Sequence, residues 1–81
     1  MRLFIGNLAL DTTDAELGGH FRRFVSVTSA TVMKNGSTGE GHGYGYVEMD
    51  DDEEARAAIT ALQGSMLRDR ELMVVRQRNL S

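Results

Sequence analysis

His42-Gly43-Tyr44-Gly45-Tyr46-Val47-Glu48-Met49 is the stretch on which the fold turns. Its aromatic and β-branched residues favour an extended chain, and along a strand successive side chains point to opposite faces. Val47 and Met49 then point to one side, and Tyr44 and Tyr46 to the other, flanked by His42 and Glu48. Gly43 and Gly45 occupy the inward side, where missing side chains let a helix lie close against a sheet. A strand with an apolar inner edge and two outward tyrosines implies a sheet covered on one face only.

Working outward, Arg2-Leu3-Phe4-Ile5-Gly6-Asn7-Leu8 is rich in strand formers. Leu3 and Ile5 point inward, so Phe4 points outward with the tyrosines. Thr13-Asp14-Ala15-Glu16 is a capping box, in which the Thr hydroxyl and the Glu carboxylate satisfy exposed helix amides reciprocally. Leu17, Phe21 and Phe24 recur at helical spacing, which predicts a helix over 13–24. Gly18 and Gly19 lie off that stripe, each weakening the helix by ~1 kcal/mol relative to Ala. His20 lies on the stripe and is expected as a packed, hydrogen-bonded core histidine rather than a metal ligand.

Val27 to Met33 reads as a second strand and the Gly-rich segment 35–41 as a flexible hairpin loop, with Lys34 at its root. After the third strand, 42–49, Asp50 to Glu54 place carboxylates at the positive end of a second helix. Ala55, Ala58, Ile59 and Leu62 form that helix's apolar stripe, and Gly64 is its C-terminal cap. Leu72 to Val75 forms a last strand. The order is βαββαβ: a ferredoxin-like α+β sandwich with a four-stranded antiparallel sheet and both helices on one face. Three of the chain's five aromatic residues (Phe4, Tyr44, Tyr46) are thus expected on the open face. Exposed rings suit the π-faces of nucleic-acid bases, whose stacking contributes ~1–3 kcal/mol each.

Composition bounds the alternatives. The 81 residues fit one domain, 1–81, with a modest core drawn from 41% apolar residues. No apolar run is long enough to span a membrane, and no secretion signal opens the sequence, so a cytoplasmic location is expected. The absence of cysteine removes disulfides, thiolate chemistry and sulfur-ligated zinc. The net charge of −3 is unevenly spread: six of the twelve acids fall between Glu48 and Glu54. Outside residues 48–56 there are eight bases against six acids, so a face away from the acidic block can still attract phosphate.

Two segments carry a resemblance. Leu3-Phe4-Ile5-Gly6-Asn7-Leu8 is similar to the hexapeptide of RNA-recognition motifs, and residues 42–49 resemble their octapeptide, K/R-G-F/Y-G/A-F-V-x-F/Y. The likeness extends over essentially the whole chain, including Ala-Ile-x-x-Leu-Gln-Gly at the end of the second helix. In length the chain is similar to compact one-motif RNA-binding proteins of bacteria. The resemblance implies single-stranded RNA binding, in post-transcriptional regulation. Phe4 and Tyr46 would each stack on a base, and Tyr44 would insert between two sugars. Arg76, Gln77 and Arg78 would contact base edges or phosphates as the chain leaves the sheet. Arg2, Lys34 and the 35–41 loop would lie against the bound strand.

The sequence departs from the family's pattern at His42, at Met49, on the last strand, and at His20, where the family usually has an aliphatic residue. His42 replaces the octapeptide's basic first residue, making a constant charge conditional on pH. Met49 replaces its final aromatic, as a core substitution. Met73 and Val75 make the outer face of the last strand more apolar, as extra stacking surface or a weak protein contact. An enzyme is not expected: acylphosphatases share the topology, but their anion loop is missing, and no Walker loop occurs. No cofactor or metal is implied. Single-stranded DNA and protein–protein interaction remain the alternative partners.

Overall fold

The computed structural model describes residues 1–34, 36–39 and 41–77. Strand β1 (Arg2–Gly6) is followed by helix α1 (Asp14–His20), then by the hairpin strands β2 (Val27–Lys34) and β3 (Gly41–Met49). Helix α2 (Asp52–Leu62) leads to a short hairpin of β4 (Met66–Leu67) and β5 (Arg70–Glu71), and β6 (Met73–Arg76) completes the order. The main sheet runs β2-β3-β1-β6 and all its pairings are antiparallel. The fold is the ferredoxin-like α+β sandwich that the alternation of Val47 and Met49 with Tyr44 and Tyr46 implies.

The core lies between the helices and one sheet face. Leu3, Ile5, Val47, Met49, Leu72 and Val74 come from the sheet side, and Leu17, Phe21, Ala55, Ala58 and Leu62 from the helix side. Met49 is 1% exposed, a core residue in the place of the motif's last aromatic. Phe24 and Ile59 are partly buried against this cluster. Gly45 explains how closely α1 approaches: a Cβ there would stand 3.1 Å from Leu17 Cδ2 and 2.5 Å from the Thr31 carbonyl oxygen. Gly43 is glycine for a different reason from the one expected. Its φ of 85° lies in the left-handed region, at an irregularity in the β2–β3 ladder.

Both helix starts form as their sequences dictate. Thr13 Oγ1 accepts from the Glu16 amide while Glu16 Oε1 accepts from the Thr13 amide. At α2 the cap is Asp51, whose Oδ1 accepts from the amides of Glu53 and Glu54, leaving Asp52, Glu53 and Glu54 in the positively polarised first turn. Gly64, with φ of 80°, follows the end of α2 as expected.

Helix α1 is shorter than the 13–24 that the periodicity predicts. After Gly18 and Gly19 the bonds tighten: the Phe21 and Arg22 amides donate to the carbonyls three residues back. Phe21 still reaches the core from this turn, so the apolar stripe outlasts the helix. The β4–β5 hairpin has no counterpart in the sequence reading. Its turn residues Arg68 and Asp69 have φ of 53° and 63°, a conformation that Asp tolerates but Arg does not advertise. Among the described residues, no helix is long and apolar enough to cross a membrane.

Candidate nucleic-acid interface

The sheet register fixes which side chains meet on the face away from the helices. Phe4 stands opposite Tyr46 on β3 and Val75 on β6, and Tyr46 stands opposite Thr31 on β2. One row thus runs Thr31, Tyr46, Phe4, Val75 across all four strands. In a neighbouring row Glu48 pairs with Ser29 and Arg2. On the other side of the aromatic row, Gly6 lies between Tyr44 and Met73. Gly6 leaves room for the rings: a Cβ there would stand 3.0 Å from the edge of Phe4.

The three rings form one cluster. Phe4 and Tyr44 stack with centroids 5.6 Å apart and planes 26° apart, while Tyr46 meets both edge-on, at 5.9 and 6.1 Å. The rings are half-buried rather than fully exposed, because each shields part of its neighbours. What remains open is a continuous π-surface, prolonged on β6 by Met73 (49% exposed) and Val75 (40% exposed). Such a surface can stack successive flat, aromatic groups without reading their edges.

The charged residues divide into two sets. Arg2 Nε donates to Glu48 Oε1 at 2.5 Å, with its guanidinium carbon 5.5 Å from the centre of the Tyr46 ring. Arg2 therefore borders the stacking surface, but its charge is shared with a carboxylate. Lys34 is exposed opposite Gly41 at the loop end of the hairpin, and His42 beside it is exposed with its ring 6.1 Å from Tyr44. Gln77 donates its amide to the Arg2 carbonyl and extends the β1–β6 ladder beside the Arg2–Glu48 row. Arg76 is exposed but stands opposite Leu3, so its side chain leaves β6 on the helix side. Arg78 lies outside the described residues.

Arg68 and Arg70 serve the scaffold. Arg68 bridges Asp11 and Glu16, both at 3.2 Å, and Arg70 Nη2 donates to Asn7 Oδ1 at 2.6 Å. Asn7 itself has φ of 63° and donates from Nδ2 to the Glu71 carbonyl, which fastens the end of β1 to the small hairpin. Asparagine tolerates that backbone better than most residues, which explains its place after Gly6. Sequence reasoning named neither this role nor the outer face of β2, where Ser29, Thr31 and Met33 border Tyr46. The alternation of Ala30 and Val32 with those three residues carries the signal.

His20 lies away from this face. It is half-buried, with Nε2 2.8 Å from Ser65 Oγ and its ring edge-on to Phe21. Ser65 Oγ gives its one proton to the Leu62 carbonyl, so His20 Nε2–H is the donor and Nδ1 the unprotonated nitrogen of the neutral ring. Burial, with the nearby positive charge of Arg23 adding to it, lowers its pKa from the ordinary 6.5. Among the described residues no group of three or more His, Asp or Glu side chains could hold a metal ion.

Similarity to known proteins agrees with this geometry. The RNA recognition motif family matches residues 3–73. The mitochondrial glycine-rich RNA-binding protein 2 of Arabidopsis thaliana is 38% identical over 73 residues, which cover 90% of this chain and 46% of the relative. The chain thus spans less than half the length of that protein. Among solved structures, the second RNA recognition domain of the yeast poly(U)-binding protein superposes with a TM-score of 0.90 at 32% identity, covering 99% of this chain and 96% of that one. A Sxl-lethal protein–RNA complex gives 0.91 at 29% identity, over 99% of this chain and 48% of that one.

Proposed function

The chain belongs to the RNA recognition motif family, and from that premise we propose that it binds single-stranded RNA on its open sheet face. The observation that carries the proposal is the contact cluster of Phe4, Tyr44 and Tyr46 on the side of the sheet away from α1 and α2. The rings sit on adjacent central strands, so stacked bases would cross β1 and β3. Phe4 and Tyr46 would each hold a base, and Tyr44 would pack against the sugars between them. Lys34 and His42 would meet the backbone at the loop end, and Gln77 would offer polar groups beside Arg2. Arg76, whose side chain leaves β6 on the helix side, would lie off this path.

The role is binding rather than catalysis. Its setting is post-transcriptional regulation in the cytoplasm. The chain would act there as one recognition unit. Titrating labelled random-sequence RNA and DNA decamers, read by fluorescence anisotropy, tests the proposal. Saturable binding of RNA, lost when Phe4 and Tyr46 are both replaced by Ala, is the expected result. Binding of DNA alone would replace RNA by single-stranded DNA as the ligand, since stacking itself does not distinguish the sugars. The exposure of Met73 and Val75 favours one second reading, a weak protein contact at the β6 edge. RNA titration in the presence of a Met73→Ser/Val75→Ser variant separates the two, because a protein contact would leave RNA affinity unchanged.

A further inference from the structure

Beside Tyr46 lies a shallow cleft of about 280 Å³ lined by Arg2, Ser29, Thr31, Met33, Tyr46 and Glu48. Stacking alone has no use for its hydrogen-bonding groups. Arg2 and Glu48 are paired across β1 and β3, and both side chains are partly open to solvent, 52% and 37% exposed. An ion pair this exposed contributes little to folding. A carboxylate on a face that receives a polyanion also works against phosphate binding, so neither stability nor charge attraction accounts for Glu48. Arg2 commits Nε to Glu48 Oε1, so its Nη groups still carry N–H donors and Glu48 still carries a second acceptor oxygen. The cleft thus presents donors and a strong acceptor side by side, next to an aromatic platform.

We propose that the Arg2–Glu48 pair selects guanine at the base position that stacks on Tyr46, an inference that rests on the RNA-binding role above. Guanine's pairing edge carries an acceptor, O6, followed by two adjacent donors, N1–H and the N2 amino group. Glu48 accepts from the two donors, and Arg2 donates to O6. Adenine and cytosine each offer one amino group next to an unprotonated ring nitrogen, whose lone pair the carboxylate repels. Uracil offers a single N–H between two carbonyl oxygens and is the poorest fit. The Ser29 and Thr31 hydroxyls both donate and accept, so they add affinity without choosing among bases.

The test uses labelled uridine hexamers that carry a single central G, A or C, or none, titrated against the wild-type chain, Glu48→Gln and Glu48→Ala. The wild type should bind the guanine hexamer about 5- to 150-fold more tightly than the all-uridine one, the range for a well-made bidentate base contact. Both substitutions should shrink that ratio to about threefold or less, with unfolding midpoints close to wild type. Equal wild-type affinity for all four hexamers would overturn the inference, and this comparison needs no substituted chain to fold. A guanine preference that persists in both variants would overturn it as well. So would a uniform tightening of all four hexamers, which would make Glu48 only a brake on the charge of Arg2. If the wild type bound none of the hexamers, nor random RNA, the RNA-binding role itself would fall. Binding without selectivity would remove only the inference.

Discussion

Replacing Phe4 by leucine separates what this ring does for the fold from what it does for binding. Phe4 is half-buried at the centre of the open face, stacked on Tyr44 at 5.6 Å and edge-on to Tyr46 at 5.9 Å. Leucine keeps most of the apolar volume between Tyr46 and Val75 but removes both aromatic pairs, each worth ~0.5–1.5 kcal/mol and toward the low end for rings open to water. A stability loss of about 1 kcal/mol is expected, which for a domain of this size lowers the unfolding midpoint by roughly 4–8 °C. Binding should suffer more. A base loses its π-platform, at ~1–3 kcal/mol, or about 5- to 150-fold in Kd. Thermal unfolding by circular dichroism, with RNA anisotropy at 20 °C where both proteins stay folded, reads the two effects independently. A folded Phe4→Leu variant with wild-type affinity would refute the reasoning. A midpoint drop of the size that a fully buried Phe would give would instead show that the ring belongs to the core.

Other outcomes follow from the same geometry. Gly45→Ala should destabilise the fold by ~1–3 kcal/mol in urea titration, since its Cβ would meet the Thr31 carbonyl oxygen at 2.5 Å; a neutral effect would mean that β2 and α1 shift freely. Because the folded state lowers the pKa of His20, the unfolded chain takes up its proton first. His20's contribution to stability is therefore complete above about pH 6.5 and is lost as pH falls from there through the lowered folded value. His20→Gln, which can still donate to Ser65, should flatten this part of the stability–pH curve, and an unchanged slope would place the titrating group elsewhere. With Arg2 shared with Glu48 and Arg76 directed to the helix side, about two phosphates should be neutralised, giving a log-affinity against log-salt slope of roughly −1.4. Lys34→Ala should make that slope shallower by about 0.7, whereas a wild-type slope several-fold steeper would mean that charge dominates stacking.

The two strands at the centre of the sheet were the most legible part of the chain. Over Arg2–Gly6 and Tyr44–Glu48 the two strands pair in unbroken register, and Leu3, Ile5, Val47 and Met49 leave Phe4, Tyr44 and Tyr46 only one side to occupy. The end of α1 was not legible, because Phe21 and Phe24 keep helical spacing while the backbone after Gly18 and Gly19 tightens into turns. Spacing reports which side chains reach the core, not which hydrogen bonds carry them there. The β4–β5 hairpin was hidden for another reason: Arg68 and Asp69 take the left-handed conformation without a glycine or asparagine to signal it. Within the interface, the aromatic cluster could be foreseen, but the partner of each charge could not. Arg2 and Arg70 are alike in sequence; only the register sets one against Glu48 on the open face and ties the other to Asn7.

Where the nucleic acid sits on the domain is the central claim, and two-dimensional NMR of the labelled chain during RNA titration measures it. The aromatic resonances of Phe4, Tyr44 and Tyr46 and the amides of β1 and β3 should move most, together with Lys34 and Gln77 at the margins. The amides of Ala55, Ala58 and Ile59 on α2 should stay nearly still, since the helix lies on the opposite side of the sheet and carries the acidic block at its start. Shifts concentrated on the helices, with the three rings unmoved at saturation, would contradict the account.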